Sequence, residues 1–355
     1  MIALFVDSLS EYSGKNTVCL CVGIKLRGMK KSVGFFKPLG VFPTHVGGVL
    51  TDEDMAFYKE ALHLDEAPDE LCPVVLTHEL LSDLLGGKPA GAYAEKTKDA
   101  FKKVSGGKDV TIIVGIGHFR SGTMISLSEA DFMKETGGKI LLTDSVVYVN
   151  RTVDCLLEAK QEFGENLAGV IFNRVEAKKK RFIETVMTPY LASKGIDVFG
   201  VIPEDPKLAA VTVRQILHSL NGRLLCCEDK LDGIVERFAI GAMNVDAALR
   251  QFVRVREKAV ITGGDRSDIM LAALETSTKC LVLTGNLYPN DVVLSRAQQA
   301  GVPVILVSHD TSETVERFEA MMGRLSIRDT SKVDYAVGVM SSYINYDALF
   351  RKLGL

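Results

Sequence analysis

Residues 11 to 18, EYSGKNTV, follow the apolar run MIALFV and contain the side chains best suited to phosphate chemistry. A strand that leads through a Gly-Lys-Ser/Thr turn into a helix is the P-loop arrangement, in which backbone N–H groups bind phosphate oxygens. Gly14 and Lys15 fit this pattern. Asn16 stands where Ser or Thr would place a hydroxyl on Mg²⁺, and Leu9 stands where the motif has its first glycine. The stretch therefore retains the lysine and lacks two of its usual companions.

Phosphoryl transfer also needs a carboxylate that holds Mg²⁺ against the phosphates. The predicted strand VTIIVG ends in Val114 and Gly115, without an acidic residue. Asp7, directly after the first strand, is a candidate metal ligand, together with the hydroxyl of Thr17 if the loop shifts by one residue. Asp144, after a later strand, is another candidate. These departures weaken the case for catalysis more than the case for nucleotide binding, because binding can depend on backbone N–H groups and one lysine.

The elements around this loop predict an α/β fold. IALFV, KSVGFFK, DVTIIVG, KILLTDS, LAGVIFN and IDVFGVIP are predicted strands, and helical patterns separate them. Continuous apolar strands with helical crossovers indicate a P-loop-type, mostly parallel sheet with helices on both faces. We place this domain at residues 1–222, because Asn221-Gly222 is a turn signal. Ligands of such sheets bind outside the carboxyl ends of the strands, where the loop at 11–18 lies.

A second, smaller α/β domain is predicted at residues 233–355. Its predicted strands are FAIGAM, KAVITGGD, KCLVLTGN, PVILVSH and YAVGVM. The strand ends at 263–268, 283–286 and 308–314 would meet at one edge and form a polar pocket. A tight turn that needs the conformational freedom of glycine is the alternative interpretation of TGGDRSD. The ligand or interface residues expected there are Gly263, Gly264, Asp265, Arg266, Ser267, Asp268, Thr284, Gly285, Asp310 and Thr311.

Composition excludes several classes of protein. The chain has 355 residues, of which 47% are apolar and 25% charged, with a formal net charge of −3. We therefore expect two domains with their own cores and no nucleic-acid partner, and the basic run EAKKKRF is expected to be a solvated helix face. No apolar stretch has the length of a membrane span and no signal peptide is recognisable, so we expect a cytoplasmic protein. The scattered cysteines indicate buried thiols rather than metal ligands.

Two known domains resemble successive parts of this chain. The dethiobiotin-synthetase-like P-loop domain at the N-terminus of long-form phosphotransacetylases is similar to the stretches SGKNT, FFKPLG, DVTIIVGIGHF, LAGVIFNRV and GVIPEDPKLAAVTVRQI. The DRTGG domain that follows it there is similar to FAIGAMNVDAALRQF, VITGGDRSDIMLAALET and LVLTGNLYPNDVVLSRAQQAGVPVILVSHDTSETVE. GGDRSD stands at the position of the name-giving motif. In those proteins an acetyltransferase domain follows, whereas this sequence ends at Leu355.

The resemblance implies a site for ATP or another nucleotide, with Mg²⁺. Lys15 would bind the β- and γ-phosphates, Lys37 of FKP would contact phosphate or substrate, and Asn173 of FNR would contact the base. Relatives usually carry an acidic residue where Val114 stands. The binding residues expected on this basis are Ser13, Gly14, Lys15, Asn16, Thr17, Lys37, Asn173 and Arg174, with Asp7 and Thr17 as metal ligands.

A nucleotide-binding regulatory protein is the function that we expect, with a degenerate P-loop and a DRTGG module that senses a ligand or docks a metabolic enzyme. The resemblance implies regulation, because these domains flank a catalytic unit in the relatives, and no catalytic activity of its own is expected. An ATP-dependent ligase or amide synthetase of the dethiobiotin or cobyrinate type is the alternative. A loop kept only as a structural relic, with no ligand, is a third possibility.

Self-association is also expected, since the resemblance implies that DRTGG modules occur in pairs. The sequence offers more apolar side chains than one face of a short helix needs, and Met-rich surfaces suit interfaces. Packing within the core is the alternative for each of them. The side chains expected at a dimer interface are Met243, Ala247, Leu249, Phe318, Met321, Met322 and Leu325.

Overall fold

The computed structural model describes residues 1–10, 12–118, 121–325 and 332–355 of the chain. Its contacts divide into two compact units. The first unit comprises Met1–Glu204 together with Thr330–Leu355, and the second comprises Asp205–Asp329. These bounds differ from the predicted 1–222 and 233–355 at both ends of the second unit.

A six-stranded parallel sheet forms the centre of the first unit. In chain order the strands of this unit are β1 (Ile2–Ser8), β2 (Val33–Phe36), β3 (Pro43–Val46), β4 (Val49–Asp52), β5 (Val110–Val114), β6 (Lys139–Asp144), β7 (Leu167–Val175) and β8 (Val198–Pro203). The sheet has the order β2-β5-β1-β6-β7-β8, and β3 and β4 form a separate antiparallel hairpin. The six predicted strands are confirmed. Because β1 lies between β5 and β6, the loop after it is flanked by the ends of both neighbours.

Helices cover both faces of this sheet, as predicted. They are α1 (Lys15–Gly28), α2 (Glu53–Ala61), α3 (Pro68–Leu71), α4 (His78–Leu85), α5 (Gly91–Ser105), α6 (Glu129–Thr136), α7 (Val149–Phe163), α8 (Ala177–Phe182) and α9 (Thr188–Ser193), with a π-helical segment, Ile183–Met187, between the last two. The ring of Phe35 lies 5.3 Å from that of Tyr58 in α2, whereas the ring of Phe36 lies 5.4 Å from that of Phe101 in α5. Neighbouring residues of a strand point to opposite faces, so α2 and α5 cover opposite sides.

The second unit is a smaller α/β structure. Its elements are α10 (Pro206–Ala209), β9 (Val211–Thr212), α11 (Val213–Ser219), β10 (Arg223–Cys226), β11 (Ile234–Val235), β12 (Arg237–Ile240), α12 (Val245–Arg254), β13 (Lys258–Gly263), α13 (Ser267–Leu274), β14 (Thr278–Thr284), α14 (Asp291–Ala300), β15 (Val304–Leu306) and α15 (Thr311–Leu325). The sheet order is β10-β15-β14-β13-β12, in which the β10 pairing is antiparallel and the others are parallel. β9 pairs with β11.

The core of the second unit corrects the predicted dimer interface. Phe318, Met321 and Met322 of α15 are 0%, 4% and 8% exposed and pack with Ala259 and Ile261 on one face of the sheet. They therefore stabilise the fold and are not available to a partner. Met243 and Leu249 are 41% and 37% exposed, whereas Ala247 is partly buried. The side chain of Leu325 lies outside the described part of the chain.

The last described segment returns to the first unit. It forms α16 (Val333–Tyr343) and α17 (Tyr346–Leu353), so the predicted strand YAVGVM is wrong and its residues belong to a helix. Ala336 and Met340, four residues apart, are its buried side chains, which is the spacing of a helix face. The N–H of Asn345 donates to the carbonyl of Phe199 in β8 at 2.7 Å. Contacts of this kind assign 330–355 to the first unit.

The second unit also begins earlier than predicted, at Asp205 rather than after residue 222, because the residues between these positions pack in its core. The residues just before Asn221, which the predicted boundary places in the first domain, form α11, whose Val213 and Ile216 are buried in the core of the second unit with Ile305 of β15. The N–H of Val213 also donates to the carbonyl of Gly233, beside β11. Among the described residues, no helix has the length and apolar character needed to cross a bilayer.

Candidate functional site

The loop between β1 and α1 ends in a turn that only glycine adopts readily. Gly14 has φ +80° and stands directly before the first residue of α1. The first turn of α1 carries no acidic side chain. The first N–H groups of a helix have no partner within it, and the helix dipole favours negative charge at this end. The loop thus presents backbone donors to an anion.

Lys15 bridges the loop and the end of β5. Its ammonium donates a hydrogen bond to the carbonyl of Gly115 and lies 3.9 Å from Oδ1 of Asp7. Asp7 is fully buried, and its Oδ1 accepts the N–H of Gly117 at 2.9 Å. Lys15 and Asp7 are therefore neighbours at the carboxyl end of β1.

Glu129 supplies a carboxylate that sequence reasoning missed. It is the first residue of α6, is 3% exposed, and accepts the N–H of Ile116 through Oε1 at 2.6 Å. Burial raises the pKa of Glu129 well above its usual range, and the charge of Asp7 raises it further while Lys15 lowers it. A carboxyl from the following helix thus lies beside the end of β5, where the sequence has no acidic residue. The signal was the helix start at Ser128, whose hydroxyl accepts the N–H of Asp131.

Asn173 and Arg174 hold the backbone of the loop from β7. The amide nitrogen of Asn173 donates to the carbonyl of Ser13 at 2.9 Å, and Arg174 Nη1 donates to the carbonyl of Tyr12 at 2.7 Å. A Cβ on Gly14 would lie 2.2 Å from Asn173 Nδ2. The structure brings both predicted residues to the loop, where these hydrogen bonds join them to its main chain. They position the loop.

Ser13, Asn16 and Thr17 are all close to the start of α1. The hydroxyl of Ser13 shares a hydrogen bond of 3.0 Å with that of Thr143 in β6. The carbonyl of Asn16 accepts the hydroxyl of Tyr58 at 2.9 Å, while its side-chain Oδ1 is buried and has no hydrogen-bond partner in the described structure. Thr17 is buried in the first turn. Ser13 thus ties the loop to β6, and Asn16 ties it to α2.

Lys37 is enclosed by two carboxylates. Its ammonium donates to Asp52 and to Asp54, each at 2.7 Å, and all three side chains are buried. Burial lowers the pKa of Lys37, but the charges of Asp54 and Asp52 outweigh burial and raise it above its usual range. Asp52 also caps α2 and accepts two N–H groups of the chain before β3. A phosphate would have to displace these partners, so the contact implied for Lys37 finds no support in its geometry.

Asp144 has a structural role. Its two carboxylate oxygens accept the hydroxyls of Ser10 and Thr152, and Oδ2 also accepts the N–H of Val146 at 3.2 Å. The carboxylate therefore connects the loop after β1 with the start of α7. In the described ranges, no three His, Cys, Asp or Glu side chains are grouped so that they could hold a metal ion by themselves.

The strand ends of the second unit meet at one edge, as predicted. Gly263 and Thr284 are paired in β13 and β14, and the hydroxyls of Thr284 and Thr311 are 2.8 Å apart. Asp310 caps α15 by accepting the N–H of Glu313. Position 264 requires glycine because the backbone of Leu287 passes close to it, and a Cβ there would lie 1.7 Å from the carbonyl oxygen of Leu287. The backbone of Gly264 does not itself have a positive φ.

Arg266 does not present a free guanidinium at this edge. Its Nε and Nη2 each donate to Asp268 at 3.0 Å, and Nη2 also donates to the carbonyl of Met243. Ser267 accepts a hydrogen bond from the side chain of Asn290. Arg266, Asp268 and Ser267, which the sequence analysis placed in a polar pocket, are thus hydrogen-bonded to other groups of the second unit.

Comparisons with known proteins match both units. A family model described as AAA domain matches residues 3–212, and a model described as DRTGG domain matches residues 215–321. The phosphate acetyltransferase of Nitratidesulfovibrio vulgaris is 22% identical over 374 aligned positions, which cover 99% of this chain and 51% of that protein. The phosphate acetyltransferase of Synechocystis sp. is 26% identical over 210 residues, covering 57% of this chain and 30% of that protein.

The chain thus spans about half the length, or less, of these curated relatives. Among solved structures, the CBS and DRTGG domains of the regulatory region of Clostridium perfringens pyrophosphatase, complexed with the activator diadenosine tetraphosphate, are similar at a TM-score of 0.29 and 16% identity. That similarity covers 52% of this chain and 73% of the other. The AAA-domain match includes more than half of the chain, so the protein belongs to this family of dethiobiotin-synthetase-like P-loop domains and carries a DRTGG domain after it, as the N-terminal region of long-form phosphate acetyltransferases does.

Proposed function

We propose that this protein binds a nucleotide through residues 12–17 and acts as a regulatory module. One observation carries the proposal: Lys15 follows the left-handed turn at Gly14 and reaches the carboxyl edge of the sheet at Gly115. Ligands of open parallel sheets bind at this edge. Phosphate binding at a helix N-terminus needs backbone N–H groups and is strengthened by one cation, and both are present.

The loop is also held in place before any ligand arrives. Asn173, Arg174 and Ser13 fix its main chain through the hydrogen bonds to β7 and β6 described above. A preorganised loop loses little conformational entropy on binding, which favours affinity. ATP or another nucleotide is the ligand class that this geometry supports.

A regulatory role is supported by the family to which the chain belongs. Its relatives are named phosphate acetyltransferases, and the chain matches about half of their length or less. We propose that nucleotide occupancy in the first unit changes how the second unit contacts a metabolic enzyme in the cytoplasm. Such coupling requires a nucleotide site and an enzyme-binding site whose affinities both differ between two states of the protein.

Self-association through α12 is part of the proposal. Leu249 and Val253, four residues apart on this helix, are 37% and 65% exposed. An apolar stripe on a helix is stabilised when a second surface covers it. Light scattering of the full chain tests this point, since a monomer mass at micromolar concentration contradicts it.

An ATP-dependent ligase is the second candidate. The argument against it from sequence was the missing acid after β5, and Glu129 now places a carboxyl beside Asp7 and Lys15. Phosphoryl transfer depends on such groups, together with Mg²⁺, to position the phosphates.

Calorimetric titration of the full chain with ATP, ADP, GTP and acetyl-CoA tests the proposal. We expect one nucleotide per chain, and we expect ATP hydrolysis no faster than in the Lys15→Ala variant. Turnover that depends on Lys15 supports the ligase instead. Absence of heat with all four ligands contradicts nucleotide binding.

A further inference from the structure

Cys226 and Cys227 are adjacent free thiols at the end of β10 in the second unit. Neighbouring residues of an extended strand point to opposite faces, so two adjacent cysteines within a strand hold their sulfurs apart. Here the strand ends at Cys226, and Cys227 has a left-handed backbone with φ +61° and ψ +49°. Such a backbone is uncommon for a residue with a Cβ. The alternation of a strand therefore does not apply to this pair.

The turn at Cys227 brings both sulfurs to the same part of the unit. Cys226 Sγ donates to the carbonyl of Val302 at 3.7 Å, and Cys227 Sγ donates to the carbonyl of Ala297 at 3.8 Å. These two acceptors are joined to each other, since the N–H of Val302 donates to the carbonyl of Ala297 at 2.9 Å. Both thiols thus face the same short connection between α14 and β15.

The two thiols differ in accessibility. Cys226 is 8% exposed, whereas Cys227 is only partly buried. Burial, together with a hydrogen bond to the Cys227 thiol, raises the pKa of Cys226 to about 11. Because a thiol reacts through its thiolate and a reagent must reach the sulfur, a small reagent reacts first at Cys227. Cys226 is a slow nucleophile toward solvent, but its contact with Cys227 supplies the proximity that an internal reaction needs.

We propose that Cys226 and Cys227 form a reversible disulfide with each other when the protein meets a low-molecular-weight disulfide such as oxidised glutathione. The Cys227 thiolate attacks one sulfur of the reagent, which gives a mixed disulfide and releases one glutathione. Cys226 then attacks Cys227 Sγ, the bond to the second glutathione breaks, and the internal disulfide closes. The two thiols lose two electrons and two protons, and both are recovered in two molecules of reduced glutathione.

This inference does not depend on the nucleotide site, and it gives the second unit a site that responds to oxidation. Closure removes both S–H donors, so the carbonyl of Val302 loses its hydrogen bond from Cys226. Disulfides in reducing compartments are usually transient and serve as redox sensors, which fits a pair that is free in this structure. A stable adduct of one glutathione on Cys227 is the rival outcome, because it needs only one accessible thiol.

The test treats the folded full chain with glutathione buffers of increasing oxidised fraction. Acid stops the exchange, and N-ethylmaleimide then blocks the remaining thiols. Trypsin cleaves after Arg223 and Lys230, so the peptide 224–230 contains Cys226 and Cys227 and no other cysteine. Its mass distinguishes an internal disulfide from two blocked thiols and from one bound glutathione.

The variants are Cys226→Ser and Cys227→Ser. Cys155→Ser is the matched control, since Cys155 is a partly buried thiol of the first unit. We expect the peptide from the parent and from Cys155→Ser to lose two hydrogens, and dithiothreitol to restore both thiols. Cys226→Ser should instead keep one glutathione on Cys227, because the second thiol is missing. Cys227→Ser should react at least about tenfold more slowly, because its remaining thiol is buried and has a raised pKa.

Two thiols that remain free in the parent in the most oxidising buffer overturn the inference. A glutathione adduct that persists on the parent peptide without closure also overturns it, because Cys226 then fails to reach Cys227 Sγ. The synthetic peptide 224–230 is a second control and should need a more oxidising buffer than the folded chain. Equal behaviour of peptide and protein would show that the turn at Cys227 does not bring the thiols together. These outcomes are decided on the parent and the peptide, so they do not depend on whether the variants fold.

Discussion

The ammonium of Lys15 lies 3.9 Å from Oδ1 of Asp7 and donates to the carbonyl of Gly115. These contacts place the loop lysine beside buried acid rather than in solvent, and its side chain is 13% exposed. A charge held in this way is positioned before a ligand arrives. Lys15 is therefore the first residue to vary.

Replacing Lys15 by Ala should lower nucleotide affinity at least tenfold, because a charge-assisted hydrogen bond to phosphate is lost, equivalent to about 1.4 kcal/mol. Calorimetric titration with the nucleotide that binds the parent provides the measurement. Lys25→Ala, which removes an equal charge from the exposed side of α1, is the control and should bind like the parent. Equal affinity in Lys15→Ala and Lys25→Ala would show that the lysine does not contact phosphate.

Replacing Gly14 by Ala should lower the free energy of unfolding for two reasons. The left-handed backbone costs a residue with a Cβ about 1 to 2 kcal/mol, and the new Cβ would lie 2.2 Å from Asn173 Nδ2. Gly47→Ala is the matched control, since Gly47 has φ +58° and open space around its Cβ position. It should show the backbone cost alone.

Urea denaturation of Gly14→Ala, Asn173→Ala and the double variant separates these costs. The double variant should lose less stability than the sum of the single losses, because Asn173→Ala removes the contact that the new methyl group makes. Additive losses would mean that Asn173 moves aside freely and does not define the loop.

Replacing Lys37 by Met should cost about 3 to 5 kcal/mol of unfolding free energy, because two buried carboxylates lose their common partner. Chemical denaturation gives the value. Lys88→Met is the control, since Lys88 forms an exposed pair with Asp83 and should change little. A loss in Lys37→Met no larger than in the control would contradict the buried network of Lys37, Asp52 and Asp54.

Lys258 should make the stability of the protein increase with pH. Its ammonium is buried at the start of β13 and donates to Thr276 Oγ1 at 2.9 Å and to the carbonyl of Ser277 at 3.1 Å. Burial lowers the pKa of Lys258 to about 8, while Glu257 opposes this. The unfolded chain, with a lysine pKa of about 10.4, binds more protons than the folded chain above pH 8. The free energy of unfolding therefore rises with pH through this window.

The comparison of the parent with Lys258→Met isolates this effect. Burial raises the pKa of Cys280 to about 12, so this thiol lowers stability as pH rises, but it does so equally in both proteins. The difference in unfolding free energy, parent minus variant, should increase as the pH rises from about 8 to about 10.4, the pKa values of this lysine in the folded and unfolded chain. Lys230→Met removes an exposed lysine of the same unit and should give a flat difference. A flat difference for Lys258→Met as well would mean that the ammonium remains charged throughout.

The six strands of the first sheet and β12, β13, β14 and β15 of the second could be predicted from the sequence, because they are short, continuous apolar runs that need no distant information, whereas the antiparallel edge strand β10 was not predicted. The pairing of Lys37 with Asp52 and Asp54 could not be predicted, since it depends on how α2 meets the sheet. Glu129 was missed because only residues directly after strands were considered, although the first turn of a helix that follows a strand also lies at the carboxyl edge. The strand predicted at YAVGVM was wrong because a short apolar run does not distinguish a strand from a buried helix face.

The return of α16 and α17 to the first unit makes the DRTGG region an insertion in the chain of its neighbour. β8 is the last strand of its sheet, and Asn345 bonds to its Phe199 while Leu349 and Phe350 are buried. A fragment cut at residue 212, where the AAA-domain match ends, would lose these helices and leave an unpaired, apolar strand edge, which favours aggregation. A fragment intended to isolate the nucleotide site should instead excise 205–329 and join the two flanking pieces with a flexible linker.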